Sequence, residues 1–320
     1  MPPREPRTAG PRRTRTRKAR AAQTDVLDVR TSDGWSLRAT VDEPAGTPVG
    51  VAVLGHAMMA RRTEFERPEG GGVRTMLASR GWRVVTFDFR GHGDSGPRAQ
   101  EGGVYDYDDF VRGDLPAIHA FARARERRRR RVILVGHSLG AHVGLASQGQ
   151  GLVAFDGFVA LGANVWLREL EPLPARWLLK RAVLAAVTAT CRRVGRFPAR
   201  ALRLGSDDET RAYFEDFARF ARTGRWTARD GADYLAGLQR VSAPVLQVVS
   251  DGDRLSCVPD AGARFLARCA GPTELVRVRQ ADDGSPAPDH MGLVTSGRIA
   301  SVWDRIEAWM RDVPVARGPF

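Results

Sequence analysis

The sequence predicts an α/β fold: a mostly parallel sheet flanked by helices, with a block of helices inserted between two of its strands. Three observations lead there. From residue 49 onward, short continuous apolar runs alternate with amphipathic stretches, the pattern of buried parallel strands and their crossover helices. The stretch Arg131 to Gly149 passes from strand to sharp turn to helix, with a serine at the bend. The alternation then lapses between residues 164 and 240 and resumes with a strand at 244.

Taken in order, residues 1–24 form a tail of Pro, Arg and Thr, too poor in apolar side chains to fold and expected to be disordered. Residues 25–163 form the first part of the core. Asp25–Arg30 and Trp35–Val41 alternate apolar with polar around Thr31-Ser32-Asp33-Gly34, a hairpin pattern. Val49–Leu54 is a buried strand, Arg74–Arg80 the returning helix, and Trp82–Phe89 the next strand. A helix is predicted from about Asp106 to Arg125, with Val111, Leu115 and Ile118 on one face and acids in its first turn, where they suit the dipole. The five arginines 127–131 read as a solvated lead-in to the strand Val132–Gly136, and Gly157–Leu161 is a further strand. Residues 164–240 are expected to be helical, over Pro174–Arg193, Glu209–Arg222 and Thr227–Leu238. With no flexible linker on either side, they read as a cap over the sheet more than as a separate domain. Residues 241–320 complete the core with strands Pro244–Ser250 and Glu274–Arg279 and a helix from about Arg298 to Met310.

Bulk properties narrow the function classes. A chain of 320 residues with 42% apolar residues can bury a full core. No apolar run approaches the ~18 residues of a membrane span, so a soluble protein is expected. Cys191, Cys257 and Cys269 are odd in number and at no metal or redox spacing, which predicts reduced packing thiols and a cytoplasmic setting. Neither cofactor nor metal is expected. The net charge of +13 suggests nucleic acid, but residues 1–22 hold eight basic side chains against one acid, so more than half of it sits on the tail. Nearly every basic residue is arginine, which reads as a compositional habit; no specific nucleic-acid partner is expected. Arginines near the start are followed by no apolar segment, so no secretion signal is read. Oligomeric state has no signature here.

Gly136-His137-Ser138-Leu139-Gly140 carries the chemistry. A serine at a strand-to-helix bend is forced into strained backbone, with its hydroxyl exposed above the sheet and the helix N-terminus aimed at the same spot. A serine hydroxyl needs a positioned base and a group that orients the base. Of six histidines, at 56, 92, 119, 137, 142 and 290, only His290 follows the strand ending at Ser250, as the order serine, acid, histidine requires. For the acid, Asp251 and Asp253 both follow that strand; Asp253, further along the turn, is preferred. The two oxyanion donors are expected to be the N–H groups of Leu139 and of Met58, with Ala57 as the fallback. His56, Trp166 and Trp177 are candidate substrate contacts. With Leu178, Leu179, Trp226 and Tyr234, the tryptophans of the insert suggest an apolar acyl or aromatic substrate. Gly93-Asp94-Ser95-Gly96-Pro97 superficially matches the serine motif of trypsin-like proteases, but it lacks that fold's strand context and reads as a glycine-rich loop at the site's edge.

Together, Gly136–Gly140, Asp88-Phe89-Arg90-Gly91-His92-Gly93-Asp94-Ser95, Ser250–Arg254 and Asp289-His290-Met291-Gly292 resemble the α/β-hydrolase superfamily, in its bacterial branch similar to monoacylglycerol lipases and serine aminopeptidase-type (S33-like) hydrolases. The likeness covers residues 25–163 and 241–312 and leaves out the insert. It implies a serine hydrolase acting on a small-molecule ester through Ser138, Asp253 and His290. This chain departs from it at Ala57, where glycine is usual, and at Arg254, where proline or a small residue is commoner. Two other readings use the same residues: acyl transfer to an acceptor other than water, and a binding protein that keeps the fold with an inactive site.

Overall fold

The computed structural model of the protein describes residues 23–68, 71–126 and 130–315. Residues 1–22 of the tail expected over 1–24, and Arg127–Arg129 of the arginine run, lie outside them; Gln23 and Thr24, expected in the tail, belong to the first strand, paired with Glu43 and Asp42. Strands β1 (Gln23–Arg30) and β2 (Ser36–Glu43) form the hairpin, Arg30 facing Ser36. Then follow β3 (Val51–Gly55), α1 (Val73–Ser79) and β4 (Arg83–Phe87). After these come the single turn α2 (Tyr107–Asp109), α3 (Leu115–Arg125), β5 (Val132–His137), α4 (Leu139–Gly149) and β6 (Gly157–Leu161). The insert holds α5 (Pro174–Val194), the short strands β7 (Arg196–Phe197) and β8 (Glu209–Thr210), α6 (Arg211–Thr223) and the turn α7 (Tyr234–Gly237). The core closes with β9 (Val245–Ser250), α8 (Pro259–Leu266), β10 (Thr273–Val278), the short α9 (Gly292–Thr295) and α10 (Ala300–Asp312).

Eight strands form one sheet in the order β1-β2-β4-β3-β5-β6-β9-β10. The first two neighbour pairs, β1–β2 and β2–β4, are antiparallel, and every other pairing is parallel. Because side chains alternate along a strand, each inner strand feeds two cores. Val51, Val53, Val132 and Leu134 pack on one face, with α3, α4 and the insert. Ala52, Leu54, Ile133 and Val135 pack on the other, with α1 and α10 through Leu77, Trp303, Ile306 and Met310. The chain runs from β3 to β4 on one side and then crosses to β5 on the other, so the connections after β3 and β5 part company there. Such a switch point opens a crevice at the carboxyl ends of the strands.

Three predicted elements differ. The helix expected over 106–125 is interrupted by a π-helical stretch at Phe110–Asp114. Pro116 has no N–H to give the preceding turn, and a Cβ at Gly113 would strike the buried Arg90 guanidinium, which pairs with Asp114 and Asp33. Glu209 does not start a helix: it lies in β8, and Thr210 caps α6 by accepting the Tyr213 N–H at 3.2 Å. The helix expected over Thr227–Leu238 is replaced by an antiparallel bridge between Thr227 and Asp233, α7 and a 3-10 turn. Gly231, at φ 88°, reverses the chain in the middle of that apolar spacing. Two helices, α8 and the short α9, are absent from the sequence reading.

The insert shares its inner surface with the core. Tyr213, Phe217, Phe220, Trp226 and Tyr234 join one aromatic cluster with Tyr107 and His142. Trp226 and Tyr234, expected toward a substrate, are therefore fully buried packing residues. Leu178 and Leu179 point the other way, 64% and 53% exposed on the outer face of α5.

Candidate active site

Ser138 stands between β5 and α4 at φ 49° and ψ −106°, a conformation that non-glycine residues rarely adopt. The turn closes only because its flanks lack side chains. A Cβ at Gly136 would overlap the Ala141 amide, and one at Gly140 would overlap the Gly55 carbonyl. The Ser138 N–H donates to the Leu161 carbonyl at 2.8 Å, which ties the bend to the end of β6. Its Oγ makes no hydrogen bond with any described residue.

His290 lies in the loop after β10. Its Nδ1 is 2.6 Å from Asp253 Oδ2, with side chains 16% and 2% exposed. Asp253 also accepts the N–H groups of Ser256 and Cys257 at 2.9 and 2.8 Å. Burial raises the pKa of this carboxyl, but the His290 hydrogen bond and charge and the backbone donors outweigh it, so the carboxyl is held below the ordinary aspartate value. The two candidate acids face different ways: Asp251 turns outward to Arg277 at 2.6 Å, partly exposed. Arg254 is exposed and forms no ion pair with any described residue, so it leaves Asp253 free for His290. With Nδ1 donating to a carboxylate, Nε2 is the basic nitrogen, and it has no partner among the described residues. The ring lies against Gly162, where a Cβ would come within 2.9 Å of Cε1. Gly162 follows Leu161, whose carbonyl holds the Ser138 amide. Serine and imidazole thus border the same two-residue step.

The turn after β3 supplies the remaining groups. The Ala57 N–H donates to Glu64 Oε1 at 3.0 Å and the Met59 N–H to Glu209 Oε1 at 3.0 Å. Ala57 is therefore no longer a spare donor. Between them, the Met58 N–H has no partner among the described residues, and neither has the Leu139 N–H at the start of α4. The Gly140 N–H donates to the His56 carbonyl at 3.1 Å and draws the two turns together.

His56 does not reach this opening. It is fully buried, its Nδ1 meets the Ala57 carbonyl at 2.8 Å, and its Nε2 accepts the Phe89 N–H at 3.0 Å. Burial drives its pKa down to about 3. It braces β3 against β4 and has no nitrogen left for a substrate. Trp166 donates from Nε1 to the Ser256 carbonyl at 3.0 Å, so it holds the loop that carries Asp253, while Trp177 is 7% exposed within α5. Ser95 of the protease-like motif is a buried strut, its Oγ donating to the Asp88 carbonyl at 2.7 Å. An open cleft of about 450 Å³ lined by Arg38, Gly93, Asp94 and Arg98 includes none of Ser138, Asp253 and His290.

Four polar residues tied to these turns, Glu64, His137, His92 and Glu209, escaped the sequence reading. His137 donates from Nδ1 to Glu64 (3.2 Å) and from Nε2 to the His290 carbonyl (3.1 Å). His92 donates from Nδ1 to the Arg90 carbonyl (3.0 Å) and from Nε2 to Glu209 (2.9 Å). An imidazole can donate from both nitrogens at once only in its protonated form. Burial works against the charge in each. For His137 the Glu64 charge outweighs it and raises the pKa; for His92 the Glu209 charge does so and pushes the value up to about 9. Only His137 carried a signal, its place beside the serine. Among the described residues no group of His, Cys, Asp or Glu is arranged to hold a metal ion, and no helix is long and apolar enough to cross a membrane.

A model of the family described as "Serine aminopeptidase, S33" matches residues 72–278, which include Ser138 and Asp253 and stop short of His290. The curated proteins contain no match. Among solved structures, a soluble variant of monoglyceride lipase from Saccharomyces cerevisiae is similar at 18% identity and TM-score 0.64, over 90% of this chain and 96% of that one. Est1E from Butyrivibrio proteoclasticus, with ferulic acid bound, is similar at 14% identity and TM-score 0.60, over 90% and 98%. The esterase domain of a Rhodothermus marinus protein is similar at 20% identity and TM-score 0.54, over 90% and 98%. At these identities the likeness is one of fold.

Proposed function

The chain belongs to the serine aminopeptidase S33 family of α/β-hydrolases, and from that premise we propose that it cleaves a carboxylic ester of a small molecule through Ser138, His290 and Asp253. One observation carries the reading. A buried Asp253 carboxylate orients His290 at 2.6 Å, while the other nitrogen of that ring and the strained Ser138 hydroxyl both stay unbonded at the carboxyl ends of the strands.

The steps follow from these groups. His290 Nε2 takes the Ser138 proton as Oγ attacks the acyl carbon, and Asp253 stabilises the imidazolium that forms. The carbonyl oxygen gathers negative charge and is met by the free N–H groups of Met58 and Leu139, the latter on the positive end of α4. Collapse expels the alcohol, which takes its proton from His290. Water, deprotonated by the same ring, then attacks the acyl-Ser138 ester and releases the acid.

Residues 164–240 act on this reading as a cap, with Trp166 and Trp177 nearest to a role in holding an apolar acyl or aromatic group. Support for Trp166 is its bond to the acid loop; the exposed Leu178 and Leu179, which follow Trp177 in α5, lend none. Purified protein should hydrolyse p-nitrophenyl esters, with a preference that emerges across graded acyl lengths, and should be labelled at Ser138 by a fluorophosphonate. Ser138→Ala should remove the labelling and lower kcat by up to ~10⁶. Ester turnover at the parent rate in that variant defeats the assignment.

A further inference from the structure

The Met58 N–H is the one open amide in a run whose neighbours are both tied. Its peptide plane lies between the His56–Ala57 plane, held by Glu64 at 3.0 Å, and the Met58–Met59 plane, held by Glu209 at 3.0 Å. Glu64 sits nine residues past β3, but Glu209 comes from the insert, 150 residues beyond Met59. The insert also grips the other side of Met59, whose carbonyl accepts the N–H groups of Ser206 and Asp207 at 2.7 and 3.2 Å. Met59 itself is at φ 59°, in the left-handed region that a methionine leaves when nothing holds it. Contact is too close for a side chain at Gly205, where a Cβ would lie 2.5 Å from Met59 Cβ and 2.6 Å from its carbonyl oxygen.

Glu209 is itself anchored. It is fully buried, pairs with His92 Nε2 at 2.9 Å, and accepts the Tyr105 hydroxyl on its other oxygen at 3.2 Å. A buried carboxylate with both oxygens engaged has one geometry, so the direction of the Met59 amide is fixed by the core through Glu209.

We propose that Glu209, seated by His92, is a positioning residue that aims the Met58 N–H into the oxyanion hole, so that docking of residues 205–209 of the insert onto the Met59 turn completes the catalytic site. This rests on the reading of Met58 as an oxyanion donor. Without Glu209 the turn relaxes and the donor swings away, which leaves substrate binding intact and weakens only the hold on developing charge.

The test compares the full-length parent with Glu209→Ala, Gly205→Ala and Glu209→Gln in p-nitrophenyl butyrate hydrolysis, in the rate of labelling by a fluorophosphonate, whose phosphoryl oxygen needs the same donors, and in thermal midpoint. Either alanine variant should lose about 10²-fold in kcat, the usual cost of a misplaced catalytic group. KM should stay within about twofold, and labelling should slow by the factor seen in kcat. Glu209→Gln, which keeps the shape and the Oε1 acceptor that Met59 and His92 share but removes the negative charge opposite His92, should fall about tenfold. It decides the matter if the alanine variants do not fold. A purely structural role lowers the midpoint with no split between kcat and KM. Any folded Glu209 variant with parent kcat and parent labelling rate overturns the inference while the triad stands. A parent chain that neither hydrolyses nor labels overturns the triad and the inference with it.

Discussion

Two regions of the molecule pair a histidine with a carboxylate, to opposite ends. At the rim, His290 gives one nitrogen to Asp253 and keeps the other unbonded, and 16% of its side chain is exposed. In the interior, His92 commits both nitrogens, to Glu209 and to the Arg90 carbonyl, and is fully buried. Residue types and spacing are alike, at 2.6 and 2.9 Å. What separates a candidate base from a strut is the fate of the second nitrogen: left free it can exchange a proton, bound to an acceptor it holds its charge as a fixed tie. His137, beside the serine, belongs with the struts, since it joins Glu64 to the backbone of the base loop.

The largest test of this contrast is His290→Gln, expected to cost up to ~10⁶ in kcat on p-nitrophenyl esters if serine and base act as a unit. Loss of less than tenfold would move His290 out of the proton path. Asp253→Asn, which leaves the imidazole in the wrong tautomer, should cost about 10⁴ in kcat with little change in thermal midpoint. Glu64→Gln sharpens the comparison on the strut side. By loosening His137 and the Ala57 amide it should lower kcat by about tenfold to a hundredfold through misplacement alone. An equal loss from Glu64→Gln and Asp253→Asn would erase the distinction between strut and base.

A smaller effect separates the pairs by pH. The folded pKa of His92 is raised from 6.5 to about 9, so the folded state holds its proton more tightly than the unfolded chain does. Its contribution to stability is complete below about pH 6.5 and is lost as pH rises through about 9. The groups facing it are Glu209, Asp207, Tyr105 and His56. Asp253 has the opposite sign: its lowered pKa adds stability above the ordinary aspartate range that is lost on acidification. Thermal midpoints from pH 6 to 10 should therefore fall on the alkaline side, and His92→Gln should flatten that fall. A parent midpoint unchanged across that range would count against a charged His92. The smallest effect belongs to Asp251→Asn, which loses a half-exposed pairing with Arg277 and should change kcat by less than about twofold.

The serine turn was legible because everything that makes it is local: a β-branched run, two glycines and a helix within twenty residues. Asp253 and His290 were legible as candidates by chain order, which fixes which strand ends they follow, whereas the directions in which Asp251 and Asp253 face emerge only in the fold. The ties could not be read. Glu64 and His137 are 73 residues apart, His92 and Glu209 are 117, and a lone carboxylate in a helical or strand segment carries no pattern of its own. For the same reason His56 was misread: the glycine-histidine turn marks a site loop, but only the fold shows that the ring points inward to Phe89. In the insert, apolar spacing over 227–238 suits a helix, and the turn at Gly231 that breaks it wins because Trp226 and Tyr234 must both reach the aromatic cluster around Tyr107.

The insert is fastened around the candidate site at the Ser256 carbonyl, through Trp166, and at the Met59 turn, through Glu209, Ser206 and Asp207. A segment fastened that way is no interchangeable accessory. Replacing residues 164–240 with the corresponding stretch of another hydrolase would hand the core a new pocket but strip it of an acceptor it depends on. Chimeras built on this scaffold should run about 10²-fold slower than the parent until the donor sequence brings, or is given, a buried carboxylate opposite His92.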